Sequence, residues 1–378
     1  MYNILTLNKI SKTGLNKLTD NYTYGDNIEN TEGILLRSFK MHDMELPESL
    51  LAVARCGAGV NNIPLDKCAD KGIVVFNTPG ANANAVKELV LTALLISSRN
   101  IVGGYNWVQG LDGDVSAKVE KGKAQFAGPE IMGKKLGVIG LGAIGVLVSN
   151  SAEALGMEVL GYDPYLSTKS AWNIDSSVKC VSLDKLLAES DYITIHVPYM
   201  PATKGMIGKD ALSKVKDGVR IINLARGELA DNDAVKEALA SGKVSCYVTD
   251  FPNDEMTGVE NVITLPHLGA STPEAEDNCA VMAAYEIMDY LENGNITHSV
   301  NYPDVSIDAP GKTKICVLAK GAAADKIISA ATAVNVAESA SKTKGEYSYT
   351  ILAAEGDADK AAESVKTVDG VIKVRVIK

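Results

Sequence analysis

The sequence predicts two doubly wound parallel-sheet α/β domains followed by a small ferredoxin-like α+β domain. Short β-branched runs alternate with helical patterns along most of the chain: NILTL, GILLRS, LAVARC, IVVFN, KLGVIG, MEVLGYD, YITIHV, VRIINLA, SCYVTD and NVITLP. Most of these runs are apolar throughout, which is typical of strands buried on both faces of a parallel sheet. Beyond residue 312 the order becomes strand–helix–strand–strand–helix–strand, the split pattern of a ferredoxin-like domain.

Helical patterns lie between the predicted strands. They predict helices at Ala83–Ser98, Ala143–Leu155, Asp231–Ala240 and Pro273–Leu291. The stretch GGYNWVQGLDGDVSAKVEKGKAQFAG at 103–128 interrupts the alternation, and we expect it to join domains or to reach a partner subunit. The stretch NYPDVSIDAPGK at 301–312 is rich in Pro and Asp and predicts a linker before the third domain.

The third domain is predicted element by element. TKICVLAK predicts a strand, AAADKIISAAT a helix, and VNVAESAS and GEYSYTILAA two further strands. DADKAAESVKT predicts a second helix and GVIKVRVI the last strand.

The composition narrows the classes of function. The formal net charge of −10 argues against nucleic acid as the main partner, because phosphate backbones bind clustered Lys and Arg. The N-terminal segment MYNILTLNKISK lacks the pattern of a signal peptide, and no apolar stretch approaches the ~18 residues that span a membrane. The 6 cysteines include no CxxC pair, so we expect reduced, mostly buried thiols, no metal site and a cytoplasmic protein.

The strongest local motif is LGVIGLGAIG, in which Gly140, Gly142 and Gly145 form a G-x-G-x-x-G pattern between a strand and a helix. In such a turn the first glycine permits a tight bend, the second lets the backbone approach a pyrophosphate, and the third lets helix and strand pack closely. The next strand, MEVLGYD, ends in Asp163. A carboxylate there accepts ribose hydroxyls and repels a 2′-phosphate, and no arginine follows it, so the motif predicts NAD rather than NADP.

Charged or titratable side chains follow successive strands of the same predicted sheet. Arg226 follows VRIINLA, and His267 follows NVITLP. Asp250 ends SCYVTD, with Glu255 five residues on. Taken singly, each is more simply explained as a surface or structural residue. Together they are what hydride chemistry on a 2-hydroxy acid requires: a histidine takes the hydroxyl proton, a carboxylate orients it, and an arginine binds the substrate carboxylate and polarises the carbonyl.

Longer stretches connect these motifs to a known family. They are ARCGAGVNNIPLDKCADKGIVVFNTPGANANAVKELV, FAGPEIMGKKLGVIGLGAIG, HVPYMPATKGMIG, INLARGELAD and PHLGAST. In this order they resemble the D-isomer-specific 2-hydroxy acid dehydrogenases, and the resemblance covers nearly all of residues 1–306. It implies Arg226, Glu255 and His267 as the catalytic residues.

The resemblance also implies an interrupted layout of domains. Residues 1–95 together with 276–306 would form the substrate-binding domain, a flavodoxin-like sheet. Residues 96–275 would form the inserted NAD-binding Rossmann domain. Residues 311–378 resemble the small regulatory ACT domain found in these enzymes.

Binding residues follow from the resemblance position by position. The implied NAD contacts are Ala58, Gly140, Gly142, Ala143, Ile144, Gly145, Asp163, Val197, Pro198, Leu224, Ala225, Asp250, Gly269 and Ala270. The implied contacts to the substrate carboxylate are the turn of Gly57, Ala58 and Gly59, with Asn61 or Asn62 nearby. Arg37 in LLRS and Arg55 in VARCG match the basic positions near a substrate phosphate.

The implied reaction is the NAD-dependent oxidation of 3-phospho-D-glycerate to 3-phosphooxypyruvate, the first step of L-serine biosynthesis, in a homodimer or higher homo-oligomer. The alternatives within the family are reduction of glyoxylate or hydroxypyruvate and oxidation of 4-phosphoerythronate. A non-catalytic, NAD-sensing protein on the same fold is the alternative from another class. We expect neither nucleic acid nor membrane among the partners.

Two features depart from the family pattern. The family often reads D-V-F-x-x-E-P, whereas TDFPNDEM lacks the residue between Asp and Phe and lacks the proline. Spacing from the strand end makes Glu255 the partner of His267, while alignment on Phe-Pro makes it Asp254, and we choose Glu255. The stretch VLAKGAAADK lacks the His, Asn and Pro-Gly of serine-binding ACT domains, so a dimerisation or stability module is an equal alternative to a regulatory one.

Overall fold

The structure is a computed structural model that describes all 378 residues. It divides into two compact units, one formed by Met1–Ala81 with Pro273–Lys378 and the other by Asn82–Thr272. The predicted fold class of two parallel-sheet α/β regions and a C-terminal antiparallel sheet is confirmed. The predicted bounds of three separate domains remain a proposal. None of the helices combines the length and the apolar composition that crossing a membrane requires.

The first unit begins with a five-stranded parallel sheet. Its elements are β1 (Tyr2–Leu7), α1 (Lys12–Leu15), β2 (Tyr22–Gly25), β3 (Gly33–Leu36), β4 (Ala52–Arg55), α2 (Leu65–Asp70) and β5 (Val74–Asn77). The strand order is β2-β1-β3-β4-β5, the doubly wound order of flavodoxin-like domains. All four residues of β3 are buried, as the uninterrupted apolar run predicts.

The second unit holds a seven-stranded parallel sheet. Three helices precede it: α3 (Ala83–Ser98), α4 (Ile101–Gln109) and α5 (Val115–Gly122), with a 3-10 turn at Lys123–Phe126. The sheet and its helices are β6 (Lys135–Ile139), α6 (Ala143–Ala154), β7 (Glu158–Tyr162), α7 (Thr168–Asn173), β8 (Lys179–Cys180), α8 (Leu183–Glu189), β9 (Tyr192–Ile195), α9 (Lys209–Lys214), β10 (Val219–Asn223), a 3-10 turn (Gly227–Leu229), α10 (Asn232–Ala240), β11 (Val244–Thr249) and β12 (Val262–Thr264). The order β12-β11-β10-β9-β6-β7-β8 reverses direction between β6 and β9, and such a switch point is where doubly wound sheets bind ligands.

The chain then returns to the first unit. The remaining elements are α11 (Pro273–Asn293), β13 (Thr313–Lys320), α12 (Ala324–Ala330), β14 (Val334–Lys344), β15 (Tyr347–Gly356), α13 (Ala358–Lys366) and β16 (Val371–Ile377). The last four strands form an antiparallel sheet in the order β14-β15-β13-β16. This is the ferredoxin-like arrangement predicted from the element order.

Several predicted elements differ from the observed ones. Strands β2 and β8 were not predicted; both are short, and both lie at the edge of their sheets. The interrupting stretch at 103–128 forms most of α4, all of α5 and the 3-10 turn. The predicted linker at 301–312 contains no helix or strand, but much of it is packed rather than exposed, because Tyr302, Val305 and Ile307 are buried in the core of the first unit.

The C-terminal sheet packs directly on the elements before it. The Tyr349 hydroxyl donates to the Gly294 carbonyl at 2.5 Å, and the Arg375 guanidinium donates to the carbonyls of Tyr290 and Leu291 at 3.2 and 2.9 Å. At another point Asp70 accepts from Lys320 at 3.0 Å and from the Tyr347 hydroxyl at 2.7 Å. The apolar face of this sheet therefore shares one core with α11 and the five-stranded sheet.

Glu286 is a carboxyl group buried on α11, with 5% of its surface exposed. Its Oε1 lies 2.8 Å from Nδ1 of His298, while Oε2 has no hydrogen-bond partner. Burial, with a smaller contribution from the charge of Asp304, raises the pKa of Glu286 to about 9. The folded protein therefore holds the carboxyl proton of Glu286 more tightly than the unfolded chain does.

Glu286→Gln should make the stability less sensitive to high pH. A raised pKa in the folded state means that stability is greatest below the usual carboxyl pKa and falls as the pH rises toward about 9. Glutamine does not titrate, so the variant should gain stability relative to the wild type, by up to about 1.4 kcal/mol per pH unit. Urea unfolding at intervals from pH 5 to pH 9 measures this difference, with the exposed Glu45→Gln as control. A difference that stays constant with pH would contradict the assignment.

Candidate active site

The glycine loop between β6 and α6 has the geometry that a pyrophosphate requires. Gly140 has a φ of +92°, and a Cβ on it would lie 2.7 Å from the His196 carbonyl oxygen. A Cβ on Gly145 would lie 1.9 Å from the Gly140 carbonyl oxygen, so the helix packs against the turn there. A Cβ on Gly142 would meet no atom within 4 Å. The space beside Gly142, at the start of α6, is therefore open to a ligand.

Asp163 lies where the sequence predicts a ribose-binding carboxylate, immediately after β7. Its Oδ2 accepts from the backbone N–H of Leu141 at 2.8 Å, and its Oδ1 accepts from the backbone N–H of Tyr165 at 2.8 Å. The carboxylate is thus tied to the glycine loop itself. Each oxygen can accept a further hydrogen bond, so the group can still bind ribose hydroxyls.

The other predicted NAD residues follow the carboxyl ends of neighbouring strands. Val197 and Pro198 come after β9, Leu224 and Ala225 after β10, Asp250 after β11, and Gly269 and Ala270 after β12. Ala143 and Ile144 begin α6. The parallel pairing places all these positions at one edge of the seven-stranded sheet.

Asp250 is the most buried charged group of this edge, with 1% of its surface exposed. Its Oδ2 accepts from the Gly269 N–H at 3.3 Å, and its Oδ1 is buried without a partner. Burial raises the pKa of Asp250, although the charges of His267 and Arg226 act in the opposite direction. A buried acceptor with no partner suits the amide donor of a nicotinamide, so the residues present fit an NAD cofactor.

The predicted catalytic residues are only partly brought together. Arg226 and His267 are exposed in the segments that follow β10 and β12, and the His267 ring lies 4.7 Å from the ring of Phe251. Glu255 instead accepts a hydrogen bond from the Asn232 side chain at 2.8 Å. No hydrogen bond joins His267 to Glu255 or to Asp254, so their roles stay predictions.

The predicted substrate residues all lie in the first unit. Arg37 follows β3, Arg55 is the last residue of the adjacent strand β4, and Nε of Arg55 donates to the Arg37 carbonyl at 3.1 Å. The Arg55 guanidinium lies against Gly57, because a Cβ added to Gly57 would lie 2.4 Å from Nη1 of Arg55. Ala58 is exposed in the same turn, and its carbonyl accepts from the Asn77 side chain at 2.6 Å.

The two candidate asparagines have different surroundings. Asn62 is buried, and its Nδ2 donates to the Phe39 carbonyl at 2.7 Å and to the Arg37 carbonyl at 3.3 Å. Asn61 is exposed, next to the half-buried Gly59–Val60 turn, and only its backbone carbonyl is bonded, to His42. Asn61 is therefore the one with an amide available to a ligand, while Asn62 shapes the loop that carries Arg37.

Two residues that shape the site were not predicted. Asn223 ends β10, and its Nδ2 donates to the Arg226 carbonyl at 2.8 Å, which fixes the turn that presents the arginine. Phe251 supports the ring of His267. Asn223 stands three residues before Arg226, at a strand end where a buried amide commonly holds the following turn, and that was the available signal.

Comparison with known proteins identifies the family. The NAD binding domain of the D-isomer specific 2-hydroxyacid dehydrogenases matches residues 91–269. A D-3-phosphoglycerate dehydrogenase of Escherichia coli (strain K12) is 32% identical over 352 residues, which cover 87% of this chain and 82% of the relative. The chain belongs to the D-isomer-specific 2-hydroxyacid dehydrogenase family. The predicted family and the predicted NAD cofactor are thereby confirmed.

Other members of the family agree with this assignment. A D-3-phosphoglycerate dehydrogenase of Archaeoglobus fulgidus is 37% identical over 284 residues, 72% of this chain. The matched region spans about half of that relative's length, 52%. The solved structure of NAD+-bound 3-phosphoglycerate dehydrogenase in Entamoeba histolytica has a TM-score of 0.60 and 24% identity, over 79% of this chain and 98% of that chain. Because the identity is only 24%, this structural similarity shows that the two chains share a fold and no more than that.

Gly142→Ala and Gly145→Ala should separate cofactor binding from folding. Gly142 has a φ of −76°, which alanine adopts, so Gly142→Ala should change the free energy of unfolding by no more than about 1 kcal/mol. Its methyl group enters the space open to the pyrophosphate, so the Kd for NADH should rise about tenfold or more. Gly145→Ala should instead lower the unfolding temperature of the cofactor-free protein, because its Cβ overlaps a backbone oxygen.

Fluorescence titration with NADH and thermal unfolding measure the two effects. An unchanged NADH affinity in Gly142→Ala would show that the cofactor does not approach this glycine.

Proposed function

We propose that the protein oxidises 3-phospho-D-glycerate to 3-phosphooxypyruvate with NAD, and that this reaction leads to L-serine. The observation that carries the substrate assignment is the arginine pair Arg37 and Arg55, which lie at the ends of adjacent strands and are linked at 3.1 Å through the Arg37 carbonyl. Guanidinium forks are well suited to a phosphate, and an unphosphorylated 2-hydroxy acid has no need of two. Relatives named D-3-phosphoglycerate dehydrogenase, 32% and 37% identical to this chain, support the same substrate.

The proposed mechanism assigns separate roles to His267, Arg226 and Glu255. The glycine loop, Asp163 and Asp250 would hold NAD, which would supply the acceptor for the hydride of the substrate C–H. His267 takes the proton from the substrate hydroxyl on oxidation and returns it on reduction. Arg226 binds the substrate carboxylate and stabilises the charge that develops on the carbonyl oxygen. Glu255, whose Oε2 accepts from the Asn232 side chain at 2.8 Å, is proposed to orient His267.

We also infer a homodimer or higher homo-oligomer, located in the cytoplasm. Support comes from α4, which presents several apolar side chains to solvent, Ile101, Val102, Tyr105 and Val108. Exposed apolar surface of this kind commonly marks a protein–protein contact.

Substrate preference tests the proposed function. With NADH, kcat/KM should be highest for 3-phosphooxypyruvate among a panel that includes glyoxylate, hydroxypyruvate and the 2-keto acid of 4-phosphoerythronate. Arg55→Ala should raise KM for 3-phosphooxypyruvate far more than KM for hydroxypyruvate, because only the former carries a phosphate. Equal increases for both substrates would refute the phosphate assignment. NADH binding without turnover on any member of the panel would favour a non-catalytic, NAD-sensing protein.

His267→Ala should lower kcat about 10²-fold or more while NADH affinity changes little, because the variant loses its general acid and base. Near-normal kcat would remove His267 from the mechanism. Glu255→Gln and Asp254→Asn identify the carboxylate partner. Loss of the true partner should lower kcat while NADH affinity changes little, because His267 loses the carboxylate that orients it. The other variant should leave kcat unchanged.

A further inference from the structure

Arg37 already has an anionic partner within its own unit. Its Nη1 lies 2.6 Å from Oε1 of Glu276, in the first turn of α11. Glu276 is the only hydrogen-bonding or ionic partner of this guanidinium. The two side chains are 39% and 45% exposed, so a ligand in solution can reach the pair.

The backbone that carries Arg37 is held in place independently of Glu276. The Asn8 side-chain oxygen accepts from the N–H groups of Arg37, Ser38 and Phe39, at 3.4, 3.0 and 2.7 Å. The Asn62 amide donates to the carbonyls of Arg37 and Phe39. Loss of the Glu276 charge should therefore free the guanidinium without moving the loop.

The Glu276 carboxylate and a ligand phosphate compete for Arg37, because both are anions that bind the same guanidinium N–H donors. An ion pair this exposed is weak, so a phosphate dianion can displace the carboxylate. The displaced carboxylate remains close by, on a helix of fixed position, and its charge repels the phosphate.

We propose that Glu276 is a built-in competitor for Arg37 that lowers the affinity of the site for phosphorylated ligands. It is a specificity-determining residue that acts through Arg37. It holds the guanidinium when no substrate is bound, and it favours release of a phosphorylated product. The identity of the phosphorylated ligand rests on the proposed function, whereas competition for Arg37 rests on the ion pair alone.

Glu276→Gln in the full-length protein tests this competition. KM for 3-phosphooxypyruvate should fall about fivefold, the fold-change that corresponds to an opposing interaction of about 1 kcal/mol. The Kd of inorganic phosphate, measured by calorimetric titration, should fall by a similar factor. Glu274→Gln is the matched control, since it removes the same charge from the same exposed helical turn, and Glu274 has no arginine partner. It should change neither value.

The combination with Arg37→Ala decides whether the effect passes through Arg37. In the Arg37→Ala background, Glu276→Gln should no longer tighten phosphate binding. Unchanged or weaker phosphate binding in Glu276→Gln would overturn the inference, as would an equal gain in Glu274→Gln or a gain that persists without Arg37. If the wild type does not prefer phosphorylated keto acids, the proposed function fails. Arg37-dependent tightening of inorganic phosphate would then still support the competition.

Discussion

The proposed catalytic and phosphate-binding side chains all depend on the carboxyl edge of a parallel sheet. Neighbouring parallel strands end at the same edge, so the loops that follow them meet there whatever their separation along the chain. In the second unit Asn223, Thr249 and Thr264 are level across three neighbouring strands, which brings the arginine, aspartate and histidine of the candidate site to adjacent loops. In the first unit the same rule sets Arg37 beside Arg55, because β3 and β4 are paired in parallel.

The parts of the fold that follow from local pattern could be predicted. Uninterrupted apolar runs identified the central strands, and apolar spacing placed the helix Ala83–Ser98 at its observed ends. Strand β8 could not be predicted in this way, because Lys179–Cys180 is exposed and too short to show a pattern. Tyr302 was misassigned to a linker because Pro and Asp surround it, although its ring is buried and its hydroxyl donates to the Ala69 carbonyl. Ala69 lies 233 residues before Tyr302 in the sequence, so no local pattern indicates this contact.

The candidate site likewise contains residues that could be predicted from the sequence and residues that could not. The glycine loop was predictable because its motif lies within six neighbouring residues, 140–145. The structure gives Gly140 and Gly145 a steric reason and leaves open space beside Gly142. The carboxylate partner of His267 was not, since TDFPNDEM offers two acidic residues and the structure bonds neither to the histidine. Glu276 was also missed: an acidic residue in the first turn of a helix is usual, and only the loop after β3 shows that it faces Arg37.

Two buried carboxyl groups both have a raised pKa, and only their positions in the fold indicate what the burial affects. Asp250 and Glu286 each keep one oxygen without a hydrogen-bond partner, and burial raises the pKa of both. Glu286 lies within α11, where its other oxygen is paired with His298, so its protonation acts on stability. Asp250 stands at the carboxyl end of β11, close enough to His267 and Arg226 that their charges act on it. An unpartnered acceptor at that edge would be available to a ligand bound along the glycine loop, which is where the sequence predicts NAD.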